Sequence, residues 1–311
     1  MNKKINKLII SFFLFIILFE LLDHSNIVSQ AILKSTKLWF YNLIPSIFPM
    51  YLFIDILLNY DGLEFLNTLL NPITKKIFHL KKEFSFVFLL SMLSGFPSNS
   101  KYIKNLLDKN LISTYNANIL LFFTHFSNPL FIIETIGNIF LKNKKIGIII
   151  LISHYLGNFI IGFIHRNKFL DNSINYKKDI IKKENFINLL SNSIYNTAHI
   201  LILLYGIITF FMILISLLKE NIFLSPFLNS IICSLVEITS GISLISNLSI
   251  SIFFKSILIT FFLSFGGLCI HMQVFSILKD YNLNYFNYLK IRIVHGLISS
   301  CFFYIFFINL K

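Results

Sequence analysis

Four carboxylates lie in or beside apolar stretches of the chain: Glu20, Asp55, Glu134 and Glu237. An ionised carboxylate in a bilayer interior is costly unless it is paired or hydrated, so each asks for a reason. Glu237 is the sharpest, because it opens the run Glu237-Ile238-Thr239-Ser240-Gly241 inside an apolar segment. Free amides at a helix start bind polar groups there, and the carboxylate can accept hydroxyl donors from a sugar-like ligand. The competing reading is a carboxylate bonded only to its own tip. Glu134 stands one and a half turns beyond Asn128, where it can ligate a cation, carry a proton, or partner a histidine or backbone amide. Asp55 and Glu20 read as interfacial.

Two further runs place backbone-breaking residues at membrane depth, Phe126-Ser127-Asn128-Pro129 and Ser264-Phe265-Gly266-Gly267. Irregular backbone is tolerated there only where it lines protein or a cavity. Freed carbonyls together with Ser98, Asn99, Ser127 and Asn128 supply oxygen ligands suited to sodium, with a mere packing kink as the alternative. Gln273 follows the second break beside His271, and its amide can read a base or amide edge. His125, His154, His199 and His295 show no metal-ligand spacing and read as hydrogen-bonded interior histidines. Cys233, Cys269 and Cys301 are isolated thiols in apolar runs and read as small buried hydrophobes. No P-loop, GxGxxG, GxSxG or HExxH motif is present, so the expectation is no enzyme, no metal site and no resident cofactor.

The elements that must position these residues are set by composition. Of 311 residues 56% are hydrophobic and 13% charged, with mean hydropathy +0.75, whereas a soluble domain carries about a quarter charged residues. With about 20 apolar residues per crossing, the runs suffice for about eight or nine crossings or half-crossings. The partner is therefore the lipid bilayer. The net charge of +13 is expected to mark cytoplasmic loops rather than a nucleic-acid surface.

Residues 5–22 follow Lys3, Lys4 and Lys7 and read as an uncleaved first helix with its N-terminus in the cytoplasm, in preference to a signal peptide cut near Ser29 and Ala31. A span over 38–58 carries Pro45 and Pro49, which should kink or break it. The run Phe84 to Leu93 is too short to cross, stops at Ser94-Gly95-Phe96-Pro97-Ser98-Asn99-Ser100, and resumes amphipathically over 102–112: the pattern of a re-entrant hairpin. A broken span follows over 119–141, then a span over 146–164. The second half repeats the order: a long span over 190–218, a short segment over 226–245 interrupted at Glu237, a span over 256–278 interrupted at Gly266, and a last span over 289–310. Ser94-Gly95 and Ser240-Gly241 are offset by 146 residues, and Phe126 and Phe265 by 139. If both hairpins re-enter, 19 of the 27 Lys and Arg face the cytoplasm (3–7, 75–82, 101–109, 166–183, 279–292) and 8 face outward. The halves then have opposite orientation, as in transporters built on inverted repeats. The expected fold is thus an all-α polytopic membrane protein, an inverted repeat with two re-entrant helical hairpins and two broken transmembrane helices. Its parts are 1–36 (first helix and external loop), 37–170 (first repeat), 171–185 (basic cytoplasmic loop) and 186–311 (second repeat).

With these motifs assembled, the chain resembles the sporulation integral membrane protein YlbJ family, whose members contain the nucleoside recognition or Gate domain shared with concentrative nucleoside transporters. The resemblance rests on Trp39 to Leu58 with Pro45-Ser46-Ile47-Phe48-Pro49, on Ser94-Gly95-Phe96-Pro97 with Lys101, and on Ser127-Asn128-Pro129-Leu130-Phe131. Glu237-Ile238-Thr239-Ser240-Gly241 and Ser264-Phe265-Gly266-Gly267 with Gln273 complete it. The first tip reads Gly-Phe-Pro-Ser-Asn where nucleoside carriers have a Gln- or Glu-bearing tip. The resemblance implies endospore formation, in the cell membrane or a membrane around the forespore, and a carrier arrangement in which tips and breaks hold solute and ion. The expected binders of a small polar solute are Gly95, Ser98, Asn99, Asn128, Glu237, Thr239, Ser240, Gly266, Gly267 and Gln273. Ser127, Asn128 and Glu134 are expected to hold a coupling ion, Na+ or H+. A homo-oligomer or other sporulation membrane proteins are the expected protein partners, and the alternative reading is a non-transporting scaffold that docks such proteins.

Overall fold

The computed structural model describes residues 3–59, 62–170, 185–221 and 224–309. Among them every regular element is helical. Four helical stretches are long and apolar enough to cross a membrane, Lys144–Lys168, Phe186–Glu220, Ile252–Ile277 and Tyr285–Ile308, and a fifth arises if the pair bent by 98° near residue 24 is counted as one. The remaining apolar helices are shorter than a bilayer is thick. Most of the basic segment at 171–185 lies outside the described residues.

Helices α1 (Lys3–Asp23) and α2 (Ser25–Leu38) lead into α3 (Ile44–Asn59). The expected proline kink or break takes the form of a widened turn just ahead of Pro45: Trp39–Leu43 is a π-helix of 5 residues, and α3 runs through Pro49. A π-turn absorbs the lost donors and ring clash without interrupting the helix. This arm packs antiparallel on α9 (Phe186–Asn221), tied by Ser35 Oγ to Thr209 Oγ1 at 2.8 Å, Thr36 to the Tyr205 hydroxyl at 2.9 Å, and Trp39 Nε1 donating to Leu201 O at 2.9 Å. Such polar cross-links hold helices together where lipid offers no hydrophobic drive.

After α4 (Gly62–Phe78), helices α5 (Ser85–Ser94) and α6 (Ser98–Asp108) pack on each other as a hairpin. Helix α7 (Thr114–Phe123) ends in a non-helical segment over 124–128, and a π-helix Phe131–Phe140 continues the chain to α8 (Lys144–His165). Pro129 follows the unwound centre expected about one turn before it, residues 124–128 being non-helical. It stands just ahead of the π-helix, where its missing N–H is no loss, and Asn128 Oδ1 caps that helix by accepting from Leu130 N at 2.8 Å. In the second half α10 (Pro226–Val236) and α11 (Ile238–Ser246) meet at Glu237 alone, and α12 (Ile252–Phe265) and α13 (Gly267–Ile277) at Gly266 alone. Ser240-Gly241, expected at the tip, lies within α11, where Gly241 backs onto Ser234. Helix α14 (Tyr285–Ile308) packs between α8 and α12.

Candidate functional site

Each hairpin turn is seated on backbone that a broken helix leaves free. Gly95 takes φ 76°, a value that favours glycine, and Phe96 N donates to Phe126 O at 2.6 Å. The approach is so close that a Cβ on Gly95 would stand 2.4 Å from Asn128 N. Within the tip, Ser98 bonds to Gly95 O and Ser94 Oγ, and Tyr102 donates to Ser94 Oγ at 2.9 Å. Ser98 and Asn99 are thereby buried behind the tip.

Glu237 does the equivalent work in the second hairpin. Its backbone is extended, and it forms the N-cap of α11, Oε1 accepting from Thr239 N at 3.0 Å and Oε2 from Ser240 N at 2.8 Å. A carboxylate at a helix N-terminus satisfies orphan amides and complements the helix dipole. Each oxygen keeps lone-pair capacity for one more donor. Ser240 turns away and donates to Met212 Sδ at 3.2 Å. Gly267 lies against Ser234 O, and a Cβ on Gly266 would stand 2.7 Å from His125 Nε2, so the second break touches both the second hairpin and the first break.

Between these parts lies a cavity of ≈ 370 Å³ whose polar wall is formed by Ser94, Ser127, Asn128, Glu237, Thr239 and Gln273, with Phe96, Phe131 and Ile270 among its apolar lining. That volume suits a small organic ligand. Glu134 also lines it, but Oε1 is 2.9 Å from Lys144 Nζ and Oε2 accepts from Asn138 at 3.3 Å. Gly95, Ser98, Asn99, Ser240, Gly266 and Gly267 stand behind the wall rather than on it.

Three of the histidines that look scattered in the sequence, His125, His154 and His295, converge behind the first break. His154 Nε2 accepts from Ser127 N at 2.9 Å, which leaves Nδ1 to donate to Ser264 Oγ at 2.8 Å; one neutral ring thus bridges the two broken helices. His295 donates from Nε2 to His154 O at 2.9 Å, and Asn158 donates to His125 O at 2.8 Å. Among the described residues no His, Cys, Asp and Glu group has metal-holding geometry. Arg292 requires a correction: the charge count places it with the cytoplasmic loops, whereas it is fully buried on α14. Its guanidinium donates to His295 Nδ1 at 3.0 Å and to Phe122 O, and lies 5.4 Å from the Tyr288 ring centroid. Phe122 O is one of the orphan carbonyls at the C-terminus of α7, where a cation complements the helix dipole. We expect Arg292→Met to lower stability by about 2 kcal/mol in detergent unfolding, since it leaves that carbonyl unbonded. Arg292→Lys should recover only part, as one ammonium cannot reproduce the fork; equal stability of all three proteins would refute this role.

Asp55, read as interfacial, is enclosed by protein. It is buried, 3.0 Å from Lys101 Nζ, and Lys101 itself lies within α6 over the Tyr51 ring at 5.1 Å. Removing Lys101 and Arg292 from the cytoplasmic count leaves 17 against 8, so the charge bias keeps its sign. Cys301, expected to be buried, is exposed on the outer face of α14.

The nucleoside recognition (Gate) family model matches residues 40–164. Among curated proteins, the chain is similar to the sporulation integral membrane protein YlbJ of Bacillus subtilis (strain 168), 25% identical over 335 aligned residues that cover 96% of this chain and 82% of that protein. No solved structure matches. The resemblance read from the tips and breaks is therefore borne out as a similarity: residues 40–164, from the widened turn through α8, match the nucleoside recognition (Gate) model, in a membrane protein similar along nearly its whole length to a sporulation integral membrane protein.

Proposed function

We propose that the protein is a multi-pass carrier of endospore formation that binds and moves a small polar solute through the cavity between its hairpin tips and broken helices. The observation that carries this reading is convergence: tip, break, tip and post-break residues distant in sequence share one wall. The order of hairpin, broken helix and full-length helix in each half supports an inverted repeat with both hairpins re-entrant, and the cytoplasmic excess of Lys and Arg supports a cytoplasmic N-terminus. The membrane would be the cell membrane or one surrounding the forespore. Among the described residues the lining carries two carboxylates, Glu237 and the Lys144-paired Glu134, two amides and no Lys or Arg, which disfavours an anion and favours a solute rich in hydroxyl or N–H donors. Backbone carbonyls at the first break, with Ser127 and Asn128, are the places for a coupling Na+; a proton is the alternative. Glu134, already paired with Lys144, belongs to the rim of this scheme.

The test is thermal stability of the detergent-purified protein against nucleosides and small polar metabolites in sodium or potassium, since a ligand bound to the native state alone must stabilise it. Wild type is expected to shift and Glu237→Ala not to. The alanine also removes the α11 cap, lowering the unliganded baseline by about 1 kcal/mol. Gln273→Leu, which spares the cap, should lose the ligand shift without that baseline change. Absence of any shift in wild type across the panel would overturn the proposal.

A further inference from the structure

A second cavity, of ≈ 880 Å³, is lined by Asp55, Lys101, Lys104, His199, Ser276 and Lys279 among others. Three helices border both cavities, and along α3 and α9 the residues of the two separate cleanly. On α3 the first cavity takes Ile47 and the second takes Asp55. On α9 the first takes Leu204 and Ile208, and the second the stretch from Tyr195 to Leu203. On α13 the first takes Ile270 and Gln273, and the second Met272 and Phe275 to Ile277. The two spaces are therefore stacked end to end along α3 and α9, and meet on α13, where Met272 of the second lies between Ile270 and Gln273 of the first.

What separates them is equally specific. Ile47, Tyr51 and Asp55 succeed one another four residues apart, on a single face of α3. Tyr51 lines neither cavity; it falls on α3 between Ile47 of the first and Asp55 of the second, is 1% exposed, and forms one buried cluster with Ile47, Leu201 and Leu204. Lys101 lies over its ring and is held in turn by Asp55. The far end of the second cavity is polar, with Lys104 paired to Asp280 at 2.8 Å and Tyr281 donating to Asp108 at 2.5 Å. The rim of the first carries the Glu134–Lys144 pair. The first cavity thus has a charged rim, and the second carries charge both at its far end and beside Tyr51, where Asp55 and Lys101 line it.

We infer that the second cavity is the other half of the solute path, and that Tyr51, held by the Lys101–Asp55 pair, is the closed barrier between the halves. The inference rests on the carrier reading above for what passes, but its geometry can be tested with no solute. Single cysteines placed at Thr135 (first cavity) and Ser276 (second cavity), in a Cys301→Ser background, are challenged with a membrane-impermeant maleimide in sealed vesicles of both orientations. The cysteines at 135 and 276 should label from opposite faces. In Asp55→Leu/Lys101→Met, which leaves no lone buried charge, the cysteine at 276 should also label from the face that reaches 135, about tenfold faster than in wild type, as a population shift toward an open barrier would give. Tyr51→Ala should do the same by direct removal of the ring. Labelling of both positions from one face would overturn the shared path, and opposite faces with no gain in either variant would overturn the barrier. Neither result touches the thermal-shift test, so failure of the solute reading and failure of the path remain separable.

Discussion

Gly95→Ala is expected to cost about 4 kcal/mol and to prevent recovery of folded protein at ordinary expression temperature. About half comes from the backbone, because φ 76° with ψ 177° is conformational territory that essentially only glycine occupies. A similar amount comes from contact, since the added methyl would meet Asn128 N at 2.4 Å, a backbone atom that cannot rotate away. Gly206→Ala is the internal comparison: that glycine lies within α9 with nothing within 4 Å of an added Cβ, so the change should be neutral or stabilise by up to about 1 kcal/mol through helix propensity. Unfolding midpoints in detergent decide the matter, and similar midpoints for the two variants would mean that the first hairpin tip is not seated on the broken helix. The consequence for function follows from the same contact. The seat joins Phe96 to Phe126 and sets Ser94 and Asn128 on one cavity wall, so a tip lifted by even one ångström would open the site.

The points where an apolar stretch is interrupted are legible in the sequence itself. Gly95, Asn128, Glu237 and Gly266 each interrupt an apolar run, and each marks a real break between helices. Ser240-Gly241 falls one helical turn away from its expected place because offset matching finds similar residues and not similar positions: Glu237 makes the turn, while Gly241 serves close packing on Ser234. The proline-rich arm reads as kinked or broken because proline chemistry implies lost bonds, and the disturbance takes the form of a π-turn just ahead of Pro45. Buried charges escape the sequence for a different reason. A charge count treats every Lys and Arg as solvated, yet Lys101 and Arg292 are buried by helices distant in sequence. A usable signal exists in α14, where Tyr288, Arg292, His295 and Ser299 recur at helical spacing through an apolar run, and all four are buried. A polar stripe on a helix of the right length to cross a bilayer points inward, toward protein. The convergence of His154 on Ser127 and Ser264 leaves no such trace, since it depends on how α7, α8 and α12 cross.

Asp55→Ala should lower stability by about 3 to 5 kcal/mol, because it leaves the Lys101 ammonium buried with no counter-charge. Lys101→Met should cost a comparable amount by stranding the carboxylate. The double variant Asp55→Leu/Lys101→Met should return to within about 1 kcal/mol of wild type, since apolar groups of similar volume replace a buried pair with little net loss. The decisive quantity is the coupling in this double-mutant cycle, and additive losses would show that the two charges do not stabilise one another. Near-neutrality of the double variant would sharpen the functional question. Lys101 lies in the first turn of α6, where a cation opposes the helix dipole, so neither helix stability nor packing explains its presence. A barrier that must open explains it better. When the halves of the path join, separated charges can take up water and lose little, whereas an apolar plug would expose hydrocarbon and stay shut. The variant that folds as well as wild type is thus the one expected to lose control of access, which ties the stability measurement to the labelling experiment through the same two residues.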